Sequence, residues 1–275
     1  MKLFSSIICT TLLVIAFFAQ KSDEVLATAT GLTFTTSSLS ENVRKNYLGR
    51  DAAVAAERTR LLGSLSREVL LEAEAKAQGI TGDALLAAEL KSVAAPTAAE
   101  IKAVYDANRS AFGTSTIEEV RPQIVGFLRN GAEQRALTDL AERLKVKHKF
   151  IAGKDINAPD LKPADTVFTV AGKAVSAGEF SERYKAQLYD LNAAILTQTS
   201  YDLENTIFNT LLEQEAKARN VETGDLIATE ITNKLREFSE QERLALQEAL
   251  RLKLFQKASV KILIKEPDPV AHNVS

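Results

Sequence analysis

The chain has 275 residues, 45% hydrophobic and 25% charged, an ordinary globular composition with room for two domains of normal size. Its 34 Lys and Arg against 36 Asp and Glu leave a net charge of −2 with no long basic run, which argues against nucleic acid as a partner. One Cys (Cys9), two His (His148 and His272), no Trp and no GxGxxG or GxxxxGK[ST] run exclude a Cys/His zinc site, a dithiol redox pair and a phosphate-wrapping loop, so neither metal nor cofactor is expected.

At the amino terminus, Lys2 precedes an apolar stretch, Leu3 to Ala19, diluted by Ser and Thr and shorter than the ~20 residues that usually span a bilayer. Small residues follow at Val25-Leu26-Ala27 and Ala27-Thr28-Ala29. The pattern reads as a secretory signal over residues 1–27, cut near Thr28, and so as an exported protein of the periplasm or cell envelope. Lys21, Asp23 and Glu24, lying between the apolar core and the cut, leave a retained membrane anchor as the alternative. Removing the signal also removes the only Cys, so no disulfide is expected.

The rest of the chain repeats. LLEAEAKAQGI from Leu70 returns as LLEQEAKARNV from Leu211, an offset of 141 (Leu70 to Leu211). The same offset aligns LATATGLTFTTSSLSE from Leu26 with VFTVAGKAVSAGEFSE from Val167, and LLAAEL from Leu85 with LIATEI from Leu226. Roughly a quarter of positions from Leu26 to Leu90 are identical in that gapless register, which marks a tandem duplication.

Each copy opens with a short alternating strand, Thr28 to Phe34 and Thr166 to Val175, the second broken by a turn at Ala171-Gly172. A first helix follows, with Ser38-x-x-Glu41 and Ser176-x-x-Glu179 as capping boxes. Long helices are predicted over Ala52 to Gln78 and Asn192 to Arg219, and shorter ones from Thr81 and Thr223. The first copy alone carries an extra helix, announced by Pro96-Thr97-x-x-Glu100 and running to about Asn108. Closing helices start at Thr116 with Glu119 and at Ser239 with Glu242, and basic-apolar strands end the copies, VKHKFI from Val146 and VKILIK from Val260.

A mainly α architecture of two tandem helical units follows, each with a small strand pair from its ends. The units cover residues 28–151 and 165–265, with a linker over 152–164 carrying Gly153, Pro159 and Pro163, and a polar tail over 266–275. A lone strand leaves backbone donors unpaired, so the opening strand must pair with a closing strand. That closing strand can belong to its own copy, to the other copy or to another chain.

The layout resembles a known family. The strand, Gly turn and Ser-capped helix, the long helix with LLEAEAKAQGI or LLEQEAKARNV, and then PTAAEIKAVYDANRSAF look like the amino-terminal chaperone domain of SurA, PpiD and PrsA-type exported folding factors. IEEVRPQIVGFLRNGAEQRALTDLAERLKVKHKF looks like the helix and strand that complete that domain. In those proteins a parvulin prolyl-isomerase domain often intervenes after the equivalent of Phe112, where this chain has only Gly113 to Thr116. No segment matches the parvulin residues, so no catalytic residue is carried over. Membership of the prolyl-isomerase family is then by association only. The resemblance implies a non-catalytic chaperone whose partners are unfolded or nascent exported proteins. A second reading is a structural or interaction scaffold, because the tail KEPDPVAHNVS resembles the link that precedes a DsbA-type thioredoxin-like domain in some such proteins. A separate thioredoxin-like oxidoreductase would be the partner in that case.

No residue reads as catalytic. Val146, His148 and Phe150 share one face of the expected strand, which makes His148 a half-buried structural residue, and Tyr105 and Phe112 read as anchors of the extra helix. The stripes Leu39, Val43, Tyr47 and Phe180, Tyr184, Leu188 mark the core face of each first helix. Leu48 and Tyr189 occupy one repeat position about 180° from the start of those stripes, at ~100° per residue. They are the candidate client-binding residues, since exposed apolar positions mark interaction sites. Oligomeric state is left open by the sequence.

Overall fold

The computed structural model describes residues 23–265, and the chain is mainly helical there. The apolar stretch within the expected signal and the tail over 266–275 lie outside the described residues.

The strands come first because they reveal the topology. The predicted opening strand of the first copy is a hairpin, β1 (Val25–Ala29) and β2 (Leu32–Thr35), turning at Gly31 with φ +73°. Closing strand β3 (Ile151–Ala152) precedes the second hairpin, β4 (Thr166–Val170) and β5 (Lys173–Ser176), which turns at Ala171 and Gly172, both at positive φ. Gly31 and Gly172 occupy one repeat position, where a left-handed backbone favours glycine. The last strand is β6 (Lys261–Ile262). Two antiparallel three-stranded sheets result, β2-β1-β6 and β3-β4-β5. Of the pairings left open by the sequence, the chain takes the exchange: each hairpin binds the closing strand of the other copy, Ala27 opposite Ile262 and Ala152 opposite Phe168.

The helices are α1 (Glu41–Leu48), α2 (Arg50–Gln78), α3 (Gly82–Lys91), α4 (Ala98–Ala107), α5 (Arg109–Phe112) and α6 (Ile117–Lys147), then α7 (Ala177–Ala218), α8 (Thr223–Glu230) and α9 (Glu240–Lys257). Capping boxes form at Thr97/Glu100 and Thr116/Glu119 as the spacing predicts, and Ser176 and Glu179 exchange the same reciprocal bonds. Ser38 and Glu41 do not. Ser38 Oγ accepts the Thr35 amide, and the Ser40 amide at the start of α1 donates to Asp202 instead. In the first copy a break at Gly49 separates α1 from α2, whereas the second copy, with Asp190 at that repeat position, runs as one helix through α7. Glycine's low helix propensity accounts for the difference.

The expected closing strands are shorter than VKHKFI and VKILIK suggest, because their first residues complete a helix. Helix α6 continues to Lys147, His148 caps it, Lys149 turns left-handed, and the Phe150 amide donates to the Lys145 carbonyl. Helix α9 ends in the same way at Ser259, with the Val260 amide on the Phe255 carbonyl. Lysines in the last turn suit the negative end of the helix dipole, and the left-handed closure satisfies the final carbonyls. In VKHKFI the residues Val146 to Lys149 therefore belong to a helix end rather than a strand, while in VKILIK only Val260 closes the helix and Lys261 and Ile262 form β6.

Among the described residues the chain forms two compact units, residues 23–47 with 197–265, and residues 48–196. In the first unit Leu26, Phe34, Leu39 and Val43 are buried against Leu203, Ile207, Leu211 and Leu254. In the second, Phe168, Val175, Phe180 and Leu188 are buried against Leu61, Leu65, Leu70 and Leu144. Each core thus mixes the hairpin and first-helix stripe of one copy with the long helices of the other. Helices α4 and α5 form a satellite cluster on the first half of α6 around Ile101, Tyr105 and Ile124. The Tyr105 and Phe112 rings stack at 5.7 Å and the Tyr105 hydroxyl donates to the Ser115 carbonyl, as expected of anchors for the extra helix.

Two of the expected boundaries fall within packed segments. The linker over 152–164 is itself packed: Ile156 and Leu161 are buried in the second core and Asn157 Nδ2 donates to the Ala55 carbonyl on α2. Gly153 lies so close to β4 that a Cβ there would stand 2.1 Å from the Thr166 carbonyl oxygen. The signal boundary at residue 27 runs through β1: Leu26 and Ala27 are 1% and 0% exposed, and β1 is the middle strand of its sheet.

Candidate functional site

The stripes Leu39, Val43, Tyr47 and Phe180, Tyr184, Leu188 face the two cores, as their spacing requires. Leu48, last residue of α1, is 42% exposed, while Tyr189 is half-buried along α7. The two share a repeat position but not an environment, since α1 ends at Leu48 and α7 continues past Tyr189.

The polar feature common to both copies is a buried carboxylate on the long helix. Glu74 on α2 is 3% exposed, and Glu215 on α7 is its repeat counterpart. Lys147 Nζ donates to Glu74 at 2.6 Å, His148 Nε2 lies 2.7 Å from it, and Gln78 Nε2 also donates. Hydrogen bonds from Lys147, then Gln78 and His148, hold the Glu74 carboxyl down to about 2. Glu215 is held below its ordinary value by Lys257 and Arg219, with burial opposing them. In each copy the carboxylate therefore ties the long helix to the last turn of the closing helix. The available signal was EAKA recurring at Glu74 and Glu215 together with a lysine ending each closing helix. His148 is structural, as expected, and its carbonyl also accepts the Ala171 amide of the second hairpin at 2.7 Å.

A groove appears where the copies differ. In the second unit, α2, α3 and α6 enclose a cleft of about 410 Å³ with Leu71, Leu86, Leu137 and Leu140 on its walls and Arg67, Glu142 and Lys145 at its rim. A recess of about 570 Å³ between α2 and α3 shares Arg67, Leu71 and Leu86 with it and adds Ala75 and Ile80, bordered by Glu68, Glu72, Lys76 and Asp83. The cleft's wall is thinned by Gly63 and Ser66, and Arg67 points its exposed side chain to the rim. At the same repeat positions the second copy has Glu204, Ile207 and Phe208, and there Ile207 and Phe208 are 0% and 7% exposed, filling the first unit's core. Ser66 and Arg67 thus line a cleft in one copy, whereas the apolar residues at the same positions are buried in the core of the other. The α2–α3 recess does have a counterpart in the first unit, of about 550 Å³ beside Ala216, Asn220 and Val221. Ile80 and Val221 each follow a left-handed helix-ending residue, Gly79 or Asn220, and are equally exposed.

An apolar floor with a rim of both charges can hold apolar segments of varied sequence while keeping the empty groove soluble. Among the described residues no group of three or more His, Cys, Asp or Glu gathers to hold a metal ion, and no helix is long and apolar enough to cross a membrane. Comparison with protein-family models, curated proteins and solved structures finds no match.

Proposed function

We propose that the protein is an exported, non-catalytic chaperone or folding factor of SurA-like type that binds unfolded or partly folded exported proteins through apolar helical surfaces. The observation that carries this reading is the groove over Leu71, Leu86 and Leu137, opened by Gly63, Ser66 and Arg67 where the second copy is filled by Ile207 and Phe208. A half-apolar cleft of this kind suits short extended or helical segments with leucine-like side chains. Binding energy then comes from area rather than from a few directed polar contacts, so sequence preference is weak and affinity per contact low. Leu48 and the half-buried Tyr189 add apolar surface to the same unit.

The test restores the second copy's residues. The variant Ser66→Ile with Arg67→Phe fills the cleft and is expected to keep the fold while losing most suppression of aggregation of a reduced outer-membrane protein. Prolyl isomerisation of a tetrapeptide is expected at the uncatalysed rate for both forms. A filled variant with undiminished suppression, or a clear acceleration of isomerisation proportional to protein concentration, refutes the reading.

A scaffold role, with a thioredoxin-like oxidoreductase as partner, is favoured by a different surface. Phe238 is 79% exposed and stands at φ +53° just before α9, an aromatic held in a costly backbone conformation while pointing to solvent. The Glu242 carboxylate accepts the Arg236 and Glu237 amides and fixes that turn. Loss of partner capture in Phe238→Ser with client suppression intact would select the scaffold reading.

A further inference from the structure

Helix α3 separates two hollows and is fastened differently from its counterpart in the other copy. The cleft between α2, α3 and α6 and the recess between α2 and α3 both end on Leu71 and Leu86, so the half-buried Leu86 side chain is the partition between them. Leu85, 8% exposed, is the buried residue of α3. Toward the far end of the helix Glu89 supplies a tie to α6, its two carboxylate oxygens each accepting from Arg143 Nη2 at 2.8 Å. That pair lies toward solvent, with the Arg143 side chain 57% exposed.

Helix α8 holds the same repeat place in the other copy, with Leu226 and Ile231 buried. Glu230, the counterpart of Glu89, accepts from Arg219 and Lys234 and lies 3.5 Å from Lys253 on α9. Where Arg219 and Lys234 stand in that copy, the first copy has Gln78 and Val93, and Gln78 donates to Glu74 instead. Both ends of α3 are also jointed. Gly79, at φ +69°, ends α2 three residues before α3 begins, and Ser92 to Thr97, with Pro96, connect α3 to α4 without regular structure. Rotation at these two joints moves α3 as a body and leaves its internal hydrogen bonds in place.

We infer that α3 is a lid latched by Glu89 and Arg143, and that swinging it outward withdraws Leu86 and joins the cleft and the recess into one groove floored by Leu71. Burial of Leu85 and Leu86 favours the closed state, so the open state is the minor one. An apolar segment that covers Leu71, Leu85 and Leu86 shifts the balance toward it. What enters the groove rests on the chaperone reading, whereas the movement of the lid does not. Apparent affinity is reduced by the fraction of molecules that are open, so loosening the latch tightens binding by the factor by which it raises that fraction.

The test places spin labels at the exposed positions Ala87→Cys on α3 and Asp139→Cys on α6, in a chain whose Cys9 is changed to Ser, and reads their separation by pulsed electron resonance. Two separations are expected, the shorter dominant. In Glu89→Gln the longer one is expected to gain roughly two- to fivefold in population, the range for a partly exposed ion pair. Affinity for a fluorescent peptide of alternating leucine and serine, measured by anisotropy, is expected to rise by the same factor, and Glu89→Arg with Arg143→Glu to restore both values. A single separation that Glu89→Gln leaves unchanged overturns the lid, and so does a charge-swapped pair that behaves like Glu89→Gln. A wild type that binds no peptide would end the chaperone reading, and the separations would then decide the lid by themselves.

Discussion

Replacing Glu74 by Gln tests the carboxylate that ties α2 to the end of α6. The wild-type carboxylate takes three donors, Lys147, His148 and Gln78, at a site where only 3% of the residue is exposed. Hydrogen bonds to a buried charged group contribute about 1.5–3 kcal/mol, but the Lys147 side chain is 56% exposed, so its ion-pair share falls in the ~0.2–1 kcal/mol range of surface pairs. Gln retains one acceptor oxygen and points an amide donor at groups that already donate. The expected loss at pH 7 is about 2 kcal/mol. The folded carboxyl ionises at about 2 and its ordinary value is 4.5, so the stabilisation is complete above about 4.5 and lost as pH falls through 2. Urea melts of both forms between pH 7 and pH 2 measure this, and the difference between them cancels the other carboxylates. It is expected to shrink steadily below about pH 4.5. A difference below about 0.5 kcal/mol at pH 7 (roughly the size of an ordinary surface change), or one that does not narrow in acid, would show that the three donors do not stabilise the Glu74 carboxylate.

Two further substitutions separate surface from core. Leu48→Ser is expected to leave stability within ~0.5 kcal/mol because Leu48 is exposed, while Tyr189→Ser costs ~1 kcal/mol; the double variant should weaken suppression of client aggregation, and unchanged suppression removes both from the binding surface. Gly153→Ala forces a Cβ onto the Thr166 carbonyl and is expected to cost at least ~2 kcal/mol by thermal or urea unfolding, whereas a neutral result would mean that the 152–164 segment is not packed against β4 as described.

Much of the helical plan was legible because it rests on local chemistry. Thr97 with Glu100 and Thr116 with Glu119 are reciprocal caps written within four residues, and the stripes at Leu39 and Phe180 follow helical spacing. Misread elements were those in which local signals are ambiguous or overruled. Lys145 to Lys147 alternates like a strand yet serves equally as a helix end, and the Ser38 cap was displaced by Asp202, 162 residues away from Ser40. The groove was not legible as a site, because Gly63 and Ser66 look ordinary until their counterparts Glu204 and Ile207 are seen to lie beside a filled core.

The exchange between copies shows why topology is harder to read than elements. Two alternatives bury the same residue types, since Leu26 and Val167, or Leu39 and Phe180, are repeat equivalents with the same pattern. Chain connectivity distinguishes them only slightly. Pairing Ala152 with Phe168 closes a short loop, and pairing Ala27 with Ile262 closes nearly the whole chain; pairing each copy with itself closes two loops of intermediate length. Since closure entropy grows with the logarithm of loop length, the short-plus-long combination is favoured by only about 1 kcal/mol. What remains lies in the packed segment between the copies. Ile156, Leu161 and the Asn157 bond to Ala55 fix the path from β3 to β4 on the surface of α2, so that the second hairpin is delivered to the first copy's long helices rather than to its own. A segment that composition marks as a spacer therefore selects the topology, through burial that no local pattern announces.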